Sequence, residues 1–521
     1  MSAKARPPEA MAHAVASLCV VLAACASAPS VRSGPPAPAG EAPVLALTVK
    51  PGDRDKVPLP TSLPVLKLPE QQHFVLANGL KVRLVEVHKL PILSLYLVVD
   101  AGAIHDPSGA PGLASMTAAM MTEGTVRRSA TRISDDLGFI GANLAAGAGF
   151  DSASLSGSVL SAHLEELLDL FADVLVNPSF PEPDFARVQD QRLVTLLEQR
   201  DQPRMLASKA FQKLYFGEHP YGHWPQGTSG SVRAMRREDL VRFHAERWRP
   251  KGSELVVVGD VRAADLKRKL DRALGSWVGA PPPSVPPLAR PPAARQALLI
   301  PKPGPTPQAF IIMGMPGYVR SSADYVPAEV ALQILGGGSA SRFFRDLREK
   351  EGYTYGIFAH AESRKLAGAS LIVGSVKTEV TGAATRGLIA EVESLRQAPV
   401  SEDELSVARN ALLLSLPAEF STTFGIAGKL GEEVVYGLPD DYWDAYAARV
   451  AKVSAEDVQR AAQQYLDLGQ LITVMVCDPA VVRPQLEGLP LGAIEVQSPQ
   501  GASGETALGG RAGTGRRPRS P

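Results

Sequence analysis

The chain has 521 residues, too many for one ordinary domain and enough for two to four. Lysine plus arginine number 54 and aspartate plus glutamate number 54, so the formal net charge is zero. That balance offers no basic surface for nucleic acid or for an acidic membrane face, and a 45% hydrophobic, 21% charged composition is that of a globular protein, not of a disordered or fibrous one.

The first 66 residues do not belong to a packed fold. Lys4 and Arg6 precede an apolar run from Ala14 to Ala24, too short for a comfortable membrane span and of the length of a secretory leader. The run ends in Leu22-Ala23-Ala24-Cys25, which looks like a bacterial lipobox whose cysteine is lipidated and becomes the mature N-terminus. Ordinary cleavage around Ala24-Cys25-Ala26 is the other reading, and Glu9 is atypical of a leader, with Met11 an alternative start. Ala26 follows the cysteine where an inner-membrane retention signal would have aspartate. The expectation is therefore an exported lipoprotein, anchored at Cys25 in the outer membrane and facing the periplasm. Residues 1–25 form the leader, and 26–66 a Pro/Ala-rich tether.

The folded part reads as a duplication. Phe74 to Val85 is a hairpin turning at Asn78-Gly79, and Pro91 to Val99 is an apolar strand. His163 to Leu175 has apolar residues at helical spacing, and Pro181-Glu182-Pro183-Asp184 opens a long helix with acidic residues at its positive end. Arg237 to Phe243 is a helix closed by the strand Ser253 to Asp260. The same order recurs later. Val400-Ser401-Glu402-Asp403 opens a helix, Ala455 to Ala461 is another, and Gln470 to Asp478 is the closing strand. A proline-rich linker, 281–296, separates an N-terminal domain (67–280) from a C-terminal one (297–490), and 491–521 reads as a disordered Gly-rich, finally basic tail. The fold class is α+β: two homologous domains, each an antiparallel sheet with helices packed on one face. Of three cysteines, Cys19 falls in the leader and Cys25 at the lipid site. Cys477 is left alone in an apolar strand, with no intramolecular disulfide possible.

Several residues could hold a metal or phosphate, and each has a plainer explanation. His163-Leu164-Glu165-Glu166-Leu167 begins like a reversed zinc motif, but position 167 is leucine and His163 reads as a surface residue. Glu218, His219 and His223 cluster around Pro220-Tyr221-Gly222, which denies them helical spacing. Gly336-Gly337-Gly338-Ser339 lacks the lysine of a phosphate loop and reads as a turn.

Taken in order, Asn78-Gly79-Leu80-Lys81-Val82, Ala101-Gly102-Ala103, Gly112-Leu113-Ala114, Glu123-Gly124-Thr125 and His219-Pro220-Tyr221-Gly222 resemble the pitrilysin, or insulinase-like, metallopeptidases. In the second half Leu335-Gly336-Gly337-Gly338, Ser341-Arg342-Phe343-Phe344 and Leu347-Arg348-Glu349-Lys350 continue the resemblance. It covers about residues 66 to 490 and implies two domains forming half of a clamshell. Active members carry His-x-x-Glu-His after Gly-Leu-Ala: two histidines on one helical face bind zinc, and the glutamate is the general base. Here those positions hold Ser115, Ala118 and Ala119, and the downstream ligand position falls at Val194 or Thr195. No cofactor of its own is expected, with zinc only in a partner. Arg348 and Tyr355 match the family's substrate-binding arginine-tyrosine pair in its non-zinc domain, with Tyr353 the fallback two residues away on the same strand face. The resemblance implies a heterodimer with a zinc-bearing homologous subunit and unfolded peptides as substrate. A structural or peptide-holding scaffold is the alternative, and a self-sufficient peptidase with other ligands is a third, since a catalytic zinc needs three protein ligands.

Overall fold

The computed structural model describes residues 67–283, 294–302 and 306–503. The leader, the tether with Cys25, most of the linker and the end of the tail lie outside the described residues. The first half contains strands β1 (Gln71–Val75), β2 (Lys81–Glu86), β3 (Ile92–Val99), β4 (Asn143–Ala148), β5 (Ala153–Leu160) and β6 (Glu254–Gly259). Its helices are α1 (Leu113–Met121), α2 (Ala130–Phe139), α3 (Leu164–Val176), α4 (Glu182–Glu198), α5 (Pro203–Phe216), α6 (Ser229–Ala234), α7 (Arg237–Arg247) and α8 (Ala263–Leu274). The second half contains β7 (Gln296–Pro301), β8 (Gln308–Pro316), β9 (Thr354–Ser363), β10 (Gly368–Lys377), β11 (Ile472–Cys477) and β12 (Ala493–Val496). Its helices are α9 (Tyr325–Gly336), α10 (Thr381–Gln397), α11 (Glu402–Glu419), α12 (Thr423–Tyr436), α13 (Tyr442–Lys452), α14 (Ala455–Tyr465), α15 (Pro479–Gln485) and α16 (Pro499–Ser503), with a π-helical segment Phe344–Lys350 before β9.

The duplication is visible strand by strand. Sheet one runs β1-β2-β6-β3-β5-β4, and sheet two β12-β7-β11-β8-β10-β9. The turn between β1 and β2 forms where the sequence places it. Gly79 takes φ 89°, Asn78 Oδ1 accepts from Leu80 N, and the Asn78 amide donates to the carbonyls of Leu274 and Trp277. Most neighbours are antiparallel, but β2 with β6, β7 with β11 and β7 with β12 are parallel. The last strand of the first half, β6, and its counterpart β11 return to the sheet centre over a long helical excursion, which is the connection a parallel neighbour requires.

Each sheet carries its own helices on one face, and the opposite face is covered by a helix from the other half. Strands β2 and β6 show how: Val82 and Leu84 point into the first half's own core, while Val85, Val256 and Val258 join the core that holds Ile426, Ala427 and Leu430 of α12. Reciprocally, Leu298, Ile300, Ile312, Leu371, Val474 and Val476 of sheet two pack on Leu206, Ala207, Ala210 and Phe211 of α5. Central strands buried on both faces need continuous apolar runs, which is what Val256-Val257-Val258 and Leu298-Leu299-Ile300 are. Cys477 is buried in β11, where burial pushes its thiol up to about 12.

The two outermost hairpins meet at their tips. Asp151, in the turn between β4 and β5, accepts from the Tyr221 hydroxyl and from Lys365 N (3.2 Å), in the turn between β9 and β10. Leu366 N donates to the same Tyr221 oxygen at 3.1 Å, and the Arg364 guanidinium lies 3.6 Å from the centre of the Phe150 ring.

The boundary at 490 needs correction. Leu491 is fully buried, residues 493–496 form β12 beside β7, and α16 packs on α5, so the second domain continues to Ser503. The first sheet takes its outer strand, β1, from the N-terminal hairpin; the second takes its own from the segment read as tail. Gln296 already belongs to β7, one residue ahead of the expected start.

Candidate functional site

Ser115, Ala118 and Ala119 lie on α1, as the motif spacing requires. Gly112 precedes the helix at φ 96°, and Asp106 caps it by accepting from Gly112 N (2.7 Å) and Ala114 N (2.8 Å). Nearly every residue of α1 is buried, and Ala118 is closed into the apolar core. A helix buried all round accepts small side chains where an exposed catalytic helix would present ligands.

The helix α4 supplies what faces Ser115, and it is not the residue expected. Phe185, Val188 and Leu196 mark its inner face, and Arg192 follows the same spacing. Val194 is 55% exposed and Thr195 is also exposed, so both point away. Arg192 Nη1 donates to Ser115 Oγ at 2.9 Å and reaches Gln226 O at 3.4 Å. Burial, with no carboxylate beside it, pulls the Arg192 guanidinium below its usual pKa. A zinc ion does not fit this group: the position offers one hydroxyl, two methyl groups and a cation. Among the described residues no three His, Cys, Asp or Glu side chains converge as a metal site would need.

The other metal candidates are accounted for locally. His163 is a half-buried residue at the N-cap position of α3, 3.2 Å from Glu166. His219 is buried, and its Nδ1 accepts from Tyr221 N at 3.0 Å. His223 pairs with Asp106 at 3.2 Å, while Glu218 is exposed. Gly336 to Ser339 form the end of α9 and a turn.

The second half places Tyr355 in the open. Strand β9 is the free edge of sheet two. Its register against β10 pairs Gly356 with Ser375 but Thr354 with Val376, leaving Tyr355 as the extra residue of a β-bulge. Without the bulge Tyr355 would share the helix-facing side of Ile357 and Ala359. With it, the phenol joins the side of Phe358 and His360 and stands 80% exposed. These three line a cavity of about 400 Å³ together with Phe310 and Val373 of the sheet and Arg204 at the start of α5. Burial, reinforced by the Arg204 cation, lowers the pKa of His360.

Arg348 sits near the end of the π-helical segment, closed as expected by Gly352 at φ 65°, whose N–H donates to Arg348 O. Its guanidinium is exposed and lies 4.3 Å from the centre of the Phe344 ring. Among the described residues it makes no bond to Tyr355, so the structure does not bring the two together. Tyr353 is not on the same face as Tyr355. It lies before β9, packed against the second half's core, and the bulge breaks the alternation that would have aligned them. Arg192, Arg204, Phe358 and His360 were not singled out in the sequence. Phe358 and His360 carried one signal, their two-residue spacing on an edge strand.

Comparison with known proteins agrees with this geometry. Residues 81–222 match the family model described as insulinase, peptidase family M16, and residues 234–412 match the one described as the peptidase M16 inactive domain. The chain belongs to the M16, or pitrilysin-like, metallopeptidase family, and it is a member without the catalytic residues. It is 24% identical over 354 residues to an uncharacterized zinc protease of Streptomyces coelicolor, covering 67% of this chain and 76% of that protein. It is 22% identical over 397 residues to the non-peptidase homolog YmxG of Helicobacter pylori, covering 75% and 90%. A crystal structure of a peptidase M16 inactive domain from Pseudomonas fluorescens superposes with a TM-score of 0.74 at 27% identity, over 78% of this chain and 98% of that one.

Proposed function

We propose that this chain is the non-catalytic subunit of a two-chain M16 endopeptidase. It holds an unfolded peptide in the cavity while a zinc-bearing homologous partner supplies the hydrolytic centre. The observation that carries this reading is Tyr355: a phenol lifted by a bulge onto the open side of a free edge strand, beside an aromatic cavity. An edge strand offers unpaired N–H and C=O groups to an extended peptide, and alternate side chains of that peptide would meet Phe358 and His360. In the heterodimer, Tyr355 would donate its hydroxyl to the substrate's oxyanion in trans, and Arg348 would leave Phe344 to anchor a substrate carbonyl or carboxylate. In this reading the chain is exported and tethered to the outer membrane through a lipid on Cys25, so that the chemistry takes place in the periplasm.

The test is peptidase activity on an unstructured peptide with the purified chain, with the nearest zinc-bearing homologue of the same genome, and with both. Activity only in the mixture, reduced on Tyr355→Phe or Arg348→Ala, supports the subunit reading. Equal activity of the homologue with and without this chain overturns it. A peptide-holding scaffold is the second reading, favoured by the separation of Arg348 from Tyr355 and consistent with the non-peptidase name of the Helicobacter relative. Incorporation of labelled fatty acid that survives Cys25→Ser would remove the anchor from the proposal.

A further inference from the structure

The position that lost its zinc ligands did not become neutral. The four arginines buried in the described chain each meet a carboxylate: Arg83 with Glu254 and Glu433, Arg320 with Glu432, Arg342 with Glu404, Arg364 with Glu362. Arg192 meets none among the described residues, although it is desolvated enough to lose basicity. Its acceptors there are the hydroxyl of Ser115 and the carbonyl of Gln226, both on Nη1. Nε and Nη2 are bonded to nothing among the described residues and are not sealed from solvent. These two atoms form the side-on edge of the guanidinium, the edge that grips a carboxylate with two parallel hydrogen bonds. The loop that supplies Gln226 carries a further free donor, Trp224 Nε1, buried without an acceptor.

We propose that the vacated metal position is a carboxylate-binding site, with the Nε and Nη2 edge of Arg192 as its fork and Ser115 holding the guanidinium in place. One cation with one open edge matches a single carboxylate, and a half-buried arginine without a counter-ion is costly until an anion arrives. The helix that bears Ser115 packs against β4, the free edge of sheet one, which offers an extended peptide a second edge besides β9, and a peptide paired there runs beside α1. The bound carboxylate is the C-terminus of that peptide or one of its acidic side chains. This rests on the reading of the chain as a peptide holder, and it converts a hydrolytic position into an anchoring one.

The full chain is titrated with a fluorescent unstructured peptide bearing a free C-terminus, with its C-terminal amide, and with a version in which Glu and Asp are replaced by Gln and Asn. Loss of about ten- to hundredfold in affinity on amidation assigns the C-terminus, and the same loss on side-chain neutralisation assigns an acidic residue. Arg192→Gln abolishes that difference between peptides, while Arg192→Lys restores part of it; both variants are checked for an unchanged melting temperature. Equal affinity for all three peptides overturns the proposal. If no peptide binds, the peptide-holding reading fails by itself, and the anion site is tested with acetate alone. Acetate that protects Arg192 from modification by phenylglyoxal supports the site, and absence of protection overturns it.

Discussion

The two exchanged helices solve one problem with different chemistry. Helix α5 covers sheet two with an aromatic surface: Phe211 and Tyr215 stack at 5.0 Å, Phe216 meets Tyr215 edge-on, and the Tyr215 hydroxyl bonds a backbone carbonyl of the sheet. Helix α12 covers sheet one around a charge. Arg83, on β2, meets Glu433 of α12 at 2.5 Å, Glu254 at 2.9 Å and Asp440 at 3.2 Å. Three carboxylates on one guanidinium cannot all ionise cheaply, and the most buried, Glu433, is pushed up to about 8 by burial and by Asp440, against the pull of Arg83. The aromatic interface gains from buried area and a neutral hydroxyl–carbonyl hydrogen bond, and none of the aromatic side chains named for it titrates between pH 5 and pH 8. The ionic one fixes the register of α12 on the sheet and makes that half's stability respond to pH.

That contrast can be broken from either side. Phe211→Ala removes a ring that fills the space above Gly314, where even an added Cβ would collide with it. The expected loss is about 4–5 kcal/mol, equal at pH 5 and pH 8, read by denaturant unfolding. Arg83→Met leaves Glu254 and Glu433 without their cation and costs about 3 kcal/mol, with Glu433→Leu added to it restoring most of the loss. No recovery in the double variant would mean that Arg83 acts by packing and not by charge. Glu433→Gln tests the pH dependence. Because Glu433 holds its proton more tightly when folded, its contribution is full below about 4.5 and is lost as pH rises towards 8, so the wild-type melting temperature falls through that window and the variant's falls less. Tyr355→Phe, on an exposed phenol, changes stability by less than about 0.5 kcal/mol, and its effect is confined to activity of the mixed subunits.

Much of this architecture was legible in the residues, and the failures have physical causes. Asn78-Gly79 demanded a tight turn, the helix-then-strand endings announced the duplication, and the apolar runs marked the strands, though the reading put helices on one face only of each sheet. They could not say that the covering helices are exchanged, because nothing local distinguishes Leu430 from a residue packed on its own sheet. The strand Ala493–Val496 was lost for the opposite reason: four residues with little burial give no pattern, and its partner β7 lies far back in the chain. At the site, the absence of zinc ligands was plain from Ser115, Ala118 and Ala119. The residue that replaced them was missed by less than one helical turn, since the inner face of α4 is set by Phe185 and Val188 and reaches Arg192, not Val194. The bulge that exposes Tyr355 was hidden because its only local mark is Gly356.

The exchange of helices also fixes an order of events during synthesis. Sheet one is complete when Gly259 has left the ribosome, yet the helix that covers Val85, Val256 and Val258 begins at Thr423, and the outer strand of sheet two comes only at Ala493. Until then the nascent first half carries an uncovered apolar face, a surface that a chaperone could hold and a translocation channel could still thread. The late closure of the fold therefore suits the export proposed for this chain, in which a membrane is crossed before folding is finished.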